Sequence, residues 1–141
     1  MVLERKIAVI HRDESLASVM ADIARNCGFE ATIMLVGRKT QPTQVADFVA
    51  ESNAGLVLLA ENYQGSQLGP DPLNRGEKIG EGVKAVAEIR GRGLTTPVFM
   101  VSGSPLYKDA AMRQGANGYL DLSLVRSSAS FKQFLESNYQ S

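Results

Sequence analysis

The sequence has little of what several classes of small protein depend on. It contains one cysteine, Cys27, which has no partner for an internal disulfide and cannot build a cysteine-ligated zinc site. Basic and acidic residues balance at 15 each, so the strongly basic composition of many nucleic-acid-binding domains is missing. No apolar run approaches the roughly 18 residues that a membrane-spanning helix needs. These absences exclude a disulfide scaffold, and we expect a protein that binds neither nucleic acid nor membranes.

What remains is the composition of an ordinary globular domain. The chain has 141 residues, of which 44% are hydrophobic and 21% are charged. That length corresponds to one domain with a buried core, so we expect a single domain over 1–141 and no separate output or catalytic domain. No apolar segment with a small-residue cleavage site follows the N-terminal residues. We therefore expect a cytoplasmic protein.

Five short apolar runs are spaced along the chain as β-strands. The first, third and fourth are continuously apolar, which is typical of interior strands of a parallel sheet that helices cover on both faces. Segments with helical periodicity separate the runs, and this alternation of strand and helix predicts an α/β fold. The runs are 7–10, 31–35, 56–60, 97–101 and 118–120.

The helices have recognisable ends. An apolar stripe predicts a first helix, capped by Ser15 and ended by Gly28. The stripe consists of Leu16, Val19, Met20, Ile23, Ala24 and Cys27. A proline at position 42 is typical of the first turn of a second helix. The other helices are predicted around 83–89, 110–112 and 131–139.

One segment, 61–80, breaks the alternation. It shows no clear period and contains many glycines and prolines. A loop of about twenty residues is uncommon in a compact domain and is usually either functional or disordered. We predict an extended loop here, after the third strand.

The carboxyl ends of the predicted strands define a candidate site. In an open parallel sheet, ligands bind beyond these ends, at one edge of the sheet. The residues at this edge are His11, Arg12 and Asp13 after the first strand, Ala60 and Glu61 after the third, Ser102 after the fourth, and Asp121 and Leu122 after the fifth.

Four stretches of the chain resemble the receiver domain of two-component response regulators, and the resemblance covers nearly the whole chain. They are 54–60, 82–90, 96–103 and 115–120, in the order and at the spacing of that family. The resemblance implies a five-stranded parallel sheet in the order 2-1-3-4-5, with helices on both faces, as in flavodoxin-like domains. It also implies a role in signal transduction.

The residues at the family's phosphorylation site depart from the pattern that the chemistry requires. In a working receiver, an acidic pair and a phospho-accepting Asp hold Mg²⁺, and the metal and a Lys neutralise the phosphoryl group. Ala60 stands at the acceptor position and has no oxygen to phosphorylate, while Glu61 would point to the opposite side of the strand. The resemblance therefore implies a pseudo-receiver without phosphorylation, metal, cofactor or enzymatic activity. The family's acidic pair, acceptor, hydroxyl and Lys positions carry His11 and Arg12, Ala60, Ser102 and Leu122.

The resemblance also implies where a partner would bind. Tyr119 lies where the family has its switch aromatic, on the fifth strand. We expect a surface that includes Tyr107, Tyr119, Ser102 and the loop 61–80 to contact a signalling or regulatory protein. A homodimer through the last helices and the fifth strand is an alternative use of this side of the molecule.

A second interpretation of the same edge is a sensor of a small ligand or anion. Its pocket would be formed by His11, Arg12 and Ser102 under the loop 61–80. A free helix N-terminus after that loop would add backbone N–H donors for an anion.

A third interpretation is a hydrolase in which His11 and Ser102 act with Asp13 or Asp121. The Gly-x-Ser-x-Gly motif of such enzymes is missing. The third strand is also expected between the strands that carry His11 and Ser102, which opposes a direct hydrogen bond between the two side chains.

Overall fold

The computed structural model describes residues 5–37, 39–60, 81–102 and 108–139, and of Ser102 it describes the backbone. The loop predicted over 61–80, which includes Glu61, therefore lies outside the described residues. The same holds for Tyr107, so the roles expected for these residues remain predictions.

Five parallel strands form the sheet, in the order β2-β1-β3-β4-β5. This confirms the predicted fold class and strand order, and each predicted strand agrees with the structure to within one residue at each end. The strands are β1 (Lys6–His11), β2 (Glu30–Leu35), β3 (Leu56–Ala60), β4 (Val98–Ser102) and β5 (Gly118–Asp121).

Six helices lie in the described part of the chain, one more than the periodicity predicts. The additional helix is the short α5, which follows β5 directly. The helices are α1 (Glu14–Asn26), α2 (Pro42–Ser52), α3 (Glu81–Gly91), α4 (Lys108–Arg113), α5 (Leu122–Val125) and α6 (Ser128–Asn138). None of the helices in these ranges has the length and apolarity to cross a membrane.

The sheet is buried between two helical layers, which explains why its central strands are apolar without alternation. On one face, Ile10, Leu59 and Met100 pack in a cluster with residues of α2, α3 and α4. On the other face, Ile7 and Leu58 pack in a cluster with residues of α1, α5 and α6. The side chains at the carboxyl edge of the sheet come directly after these buried strands.

The start of α1 corrects the predicted cap. Asp13, not Ser15, is the N-cap residue, and its Oδ1 accepts a hydrogen bond from the backbone N–H of Leu16 at 3.1 Å. Asp13 adopts an extended backbone conformation before the first turn, which is the geometry that lets an N-cap side chain reach the N–H three residues on. The predicted end is correct, because Gly28 follows the helix at φ +91°, a conformation that glycine adopts without a Cβ clash.

The buried face of α1 also differs from the predicted stripe. Val19 is 46% exposed, and Cys27 is only partly buried, just beyond the helix. Met20 and Ala24 of the predicted stripe are buried, and the small side chains of Ala17 and Ala21 take the other buried positions. The buried residues of the helix are Ala17, Met20, Ala21 and Ala24.

Candidate functional site

The sheet brings the predicted site positions to one edge. His11 ends β1 and Ala60 ends β3, the strand beside it. Backbone pairing places Ala60 level with Val101, and Ser102 level with Asp121. The prediction that these strand ends form one edge is therefore correct.

His11 is the one buried polar or charged residue in the described part of the chain, at 5% exposure. Its Nδ1 accepts a hydrogen bond from the backbone N–H of Asp13 at 2.9 Å. An Nδ1 that accepts leaves Nε2 as the protonated nitrogen of a neutral ring. The pKa of His11 is lowered from 6.5 to about 4, chiefly by burial and then by the positive charge of Arg12, while the charge of Asp13 opposes both. His11 is consequently uncharged near neutral pH.

Arg12 and Asp13 follow at the surface, where both side chains are exposed. The carboxylate of Asp13 caps α1, so it is held at the helix end. Across the described ranges, no three His, Cys, Asp or Glu side chains are grouped in a way that suits a metal ion. The first strand thus presents a neutral imidazole and a guanidinium at this edge.

Ala60 occupies the centre of the edge and is buried, at 2% exposure. Its methyl group belongs to the apolar cluster that also contains Val83 and Met100. A methyl group offers no oxygen for a phosphoryl group or a cation, so β3 contributes only packing at this position.

At the end of β5, the Asp121 carboxylate caps a helix and the next residue, Leu122, is apolar. The Asp121 carboxylate accepts a hydrogen bond from the backbone N–H of Ser123 at 2.8 Å, and this bond lowers the pKa of Asp121. Leu122 begins α5 and packs, partly buried, against the cluster on the α1 and α6 face. The role of Asp121 in capping α5 was not predicted, although an Asp before a Ser and two Leu residues is a recognisable helix-start signal.

Tyr119 is partly buried against the cluster on the α2, α3 and α4 face. Its hydroxyl is buried and has no hydrogen-bond partner among the described residues. In this orientation the hydroxyl is not presented to solvent, so a contact with a partner through it requires the ring to rotate. The Oε2 atom of Glu81, at the start of α3, is the other buried side-chain atom without a partner in the described part of the chain. Sequence reasoning missed Glu81 because it lies at the boundary between the predicted loop and the helix.

The sheet order bears on the hydrolase interpretation. Strand β3 lies between β1 and β4, and neighbouring strands are about 4.8 Å apart. The backbones of His11 and Ser102 are therefore separated by two strand spacings. The Nδ1 of His11 is also occupied by the backbone of Asp13, where a hydrolase would place an orienting carboxylate.

Comparison with known proteins gives a match in structure but not in sequence. No protein-family model and no curated protein matches the chain. A putative response regulator from Chloroflexus aurantiacus J-10-fl superposes with a TM-score of 0.70 at 14% identity, over 96% of this chain and 97% of that one. The chemotaxis response regulator CheY4 of Vibrio cholerae superposes with a TM-score of 0.69 at 14% identity, over 96% and 98%.

A third solved structure is the receiver domain of a sensor histidine kinase from Pseudomonas aeruginosa PAO1, with a magnesium ion coordinated in its active site cleft. It has a TM-score of 0.70 and 15% identity, and the match covers 96% of this chain and 98% of that one. This chain has the fold of a response-regulator receiver domain. The receiver fold is therefore present over nearly all of the chain, with few residues in common.

Proposed function

We propose that this chain is a phosphorylation-independent pseudo-receiver that acts in signalling or regulation, in the cytoplasm, by binding a protein partner. The observation that carries the proposal is Ala60. This buried methyl group ends the central strand β3, at the position where the receiver family has its phospho-accepting carboxylate.

The electrostatics of the edge support the same conclusion. Mg²⁺ binds to carboxylate and carbonyl oxygens, whereas β1 ends in the neutral imidazole of His11 followed by the cationic Arg12. Arg12 would repel a divalent cation, and among the described residues no carboxylate pairs with it to cancel that charge. Leu122 packs, partly buried, against the core at the position where the family's Lys would neutralise a phosphoryl group. Cation binding is therefore opposed, and a phosphoryl group would lack both the metal and the Lys that neutralise it in the family.

A domain without this chemistry acts through its surface, and we therefore assign it an interaction function rather than an enzymatic one. The receiver fold offers a rigid sheet with helices on both faces, on which loops and exposed helix faces can be recognised. The hydroxyl of Tyr119 is buried. A partner that binds a different orientation of this ring would change the environment of the hydroxyl.

The test is exposure of the ¹⁵N-labelled protein to acetyl phosphate, and separately to beryllofluoride, each with Mg²⁺. We expect no phosphoryl adduct by intact mass and no saturable shifts in the resonances of His11, Ala60 or Ser102. An Ala60→Asp variant is the matched control, because it restores an acceptor oxygen while Arg12 and Leu122 remain. A phosphoryl adduct on the wild-type chain, at Glu61 or elsewhere at this edge, would contradict the proposal.

A thermal-shift screen separates the interaction module from the sensor interpretation. Nucleotides and phosphorylated metabolites are expected to leave the melting temperature unchanged, while an affinity-tagged chain retains a specific protein partner. A ligand whose stabilising effect disappears in Arg12→Ala, in the absence of a protein partner, would favour the sensor.

A further inference from the structure

Among the described strands, β2 lies at one edge of the sheet and pairs with β1 alone. The backbone N–H groups of Glu30 and Val36 donate to carbonyls of the neighbouring β1 segment at 2.7 and 3.0 Å. The N–H and C=O of one strand residue point to the same side, and this side alternates along the strand. The backbone groups that point away from the sheet are therefore those of Ala31, Ile33 and Leu35.

One end of this outer edge is already protected. The guanidinium of Arg25, on α1, donates to the carbonyl of Ala31 at 2.9 Å. No side chain in the described part of the chain bonds to the backbone of Ile33 or Leu35, and the Leu35 side chain is 48% exposed. The open part of the edge is thus the segment around Ile33 and Leu35.

The open segment also lacks the features that usually prevent strand pairing. Edge strands of soluble proteins commonly carry Lys, Pro or a bulge, but no charged residue or proline occurs from Ala31 to Val36. Two copies of this segment can therefore approach without repulsion between like charges.

We propose that the open segment of β2 pairs antiparallel with the same segment of a second copy, so that the sheet continues across a twofold axis. Ile33 of one copy then lies opposite Leu35 of the other, and two Met34 side chains meet at the axis. The outward N–H and C=O groups of Ile33 in one copy bond to those of Leu35 in the other, and the twofold axis repeats these bonds on its other side. Arg25 stays outside the paired segment.

The second copy is the occupant that this pattern fits. The donors and acceptors are self-complementary, and the side chains that meet are all apolar on both faces of the strand. A pairing of so few residues buries a small area, so the dimer is weak and depends on concentration. This interface lies on the opposite side of the sheet from β5, and it does not depend on the proposed interaction function.

The test is sedimentation equilibrium over protein concentrations from micromolar to millimolar, for the wild type, Leu35→Lys and Met112→Lys. Met112 is a matched control because it is 41% exposed and lies on α4, which connects β4 to β5 at the edge of the sheet opposite β2. We expect reversible dimers for the wild type and Met112→Lys, and a dissociation constant roughly tenfold or more higher for Leu35→Lys.

Amide hydrogen exchange of the wild type tests the strand pairing without any substitution. The Ile33 and Leu35 amides are expected to exchange more slowly as the protein concentration rises. A chain that is monomeric throughout, or whose Ile33 and Leu35 amides exchange equally fast at all concentrations, overturns the proposal. So does a dimer that Met112→Lys abolishes and Leu35→Lys preserves, since its interface would lie on α4.

Discussion

A fall in pH from about 7 toward 4 is expected to destabilise the protein through His11. In the folded chain, burial and the charge of Arg12 lower the pKa of His11 from 6.5 to about 4. In the unfolded chain the side chain titrates near its ordinary value. Between these two values the unfolded chain binds more protons than the folded chain, so the free energy of unfolding decreases as the pH falls from about 6.5 to about 4.

The magnitude follows from the two pKa values. A tenfold change in a protonation equilibrium corresponds to about 1.4 kcal/mol, so the full effect below the folded pKa is about 3 kcal/mol. This loss is a large fraction of the stability of a small domain, which is typically about 5–15 kcal/mol. A structural change accompanies it, because a protonated Nδ1 can no longer accept the N–H of Asp13.

Urea unfolding followed by circular dichroism, in steps of pH from about 7 to 4.5, measures the effect. The comparison is with His11→Asn, whose side-chain oxygen can accept the same N–H but does not titrate. The carboxylates titrate in both proteins, so their contribution cancels in the difference between the two free energies of unfolding. Because only the wild type has the His11 ring, it is expected to lose stability faster on acidification. Because His11 is the only histidine of the chain, its ring resonances also give the folded pKa directly. Parallel pH curves for the two proteins, or a folded pKa near 6.5, would refute the reasoning.

Two further predictions concern packing and backbone hydrogen bonds, and urea unfolding measures both. Gly118→Ala places a Cβ 2.9 Å from the ring of Phe99 and is expected to lower the free energy of unfolding by about 1–3 kcal/mol. Gly91→Ala has open space around its Cβ and is expected to be neutral or stabilising by up to about 1 kcal/mol. Equal stability of the two variants would show that the contact with Phe99 is relieved easily. Asn117→Ala removes the Oδ1 that accepts the N–H of Val98 at 2.8 Å and is expected to cost about 1–3 kcal/mol. Asn117→Asp keeps an acceptor, so an equally large loss in that variant would contradict the explanation.

The strands were predictable because burial on both faces requires an apolar residue at every position. The continuous run of β3, from Leu56 to Ala60, is the clearest case, and its bounds agree with the structure. The face of α1 was less predictable, since apolar character does not distinguish the exposed Val19 from the buried Ala17. Contact distance and side-chain volume determine which of them faces the sheet.

The candidate site shows the same division. That β1, β3, β4 and β5 end at one edge follows from a parallel sheet, so the positions were predictable from the alternation of strands and helices. The burial of His11 was not predictable, because it depends on how elements remote in the sequence pack around the end of β1. The cap of α1 is a local contact between Asp13 and the N–H of Leu16, and here only the choice of Ser15 over Asp13 was wrong.

Arg90 illustrates what only the folded chain reveals. In the sequence it is one of several scattered arginines, but its guanidinium donates to the carbonyls of Leu94, Thr96 and Gly115 and to Asn117. These acceptors lie up to 27 residues along the chain, and folding alone brings them to one side chain.

The sequence by itself determined the class of fold and the identity of the side chains at the carboxyl edge, because periodicity and burial act over neighbouring residues. Tertiary structure decided which of those side chains are buried and which are charged. It made His11 a buried neutral ring, Ala60 a part of the core, and Leu122 a partly buried side chain packed against the core. Burial, and the charge state that follows from it, depend on distances between segments remote in sequence, and only the packed sheet and helices set those distances.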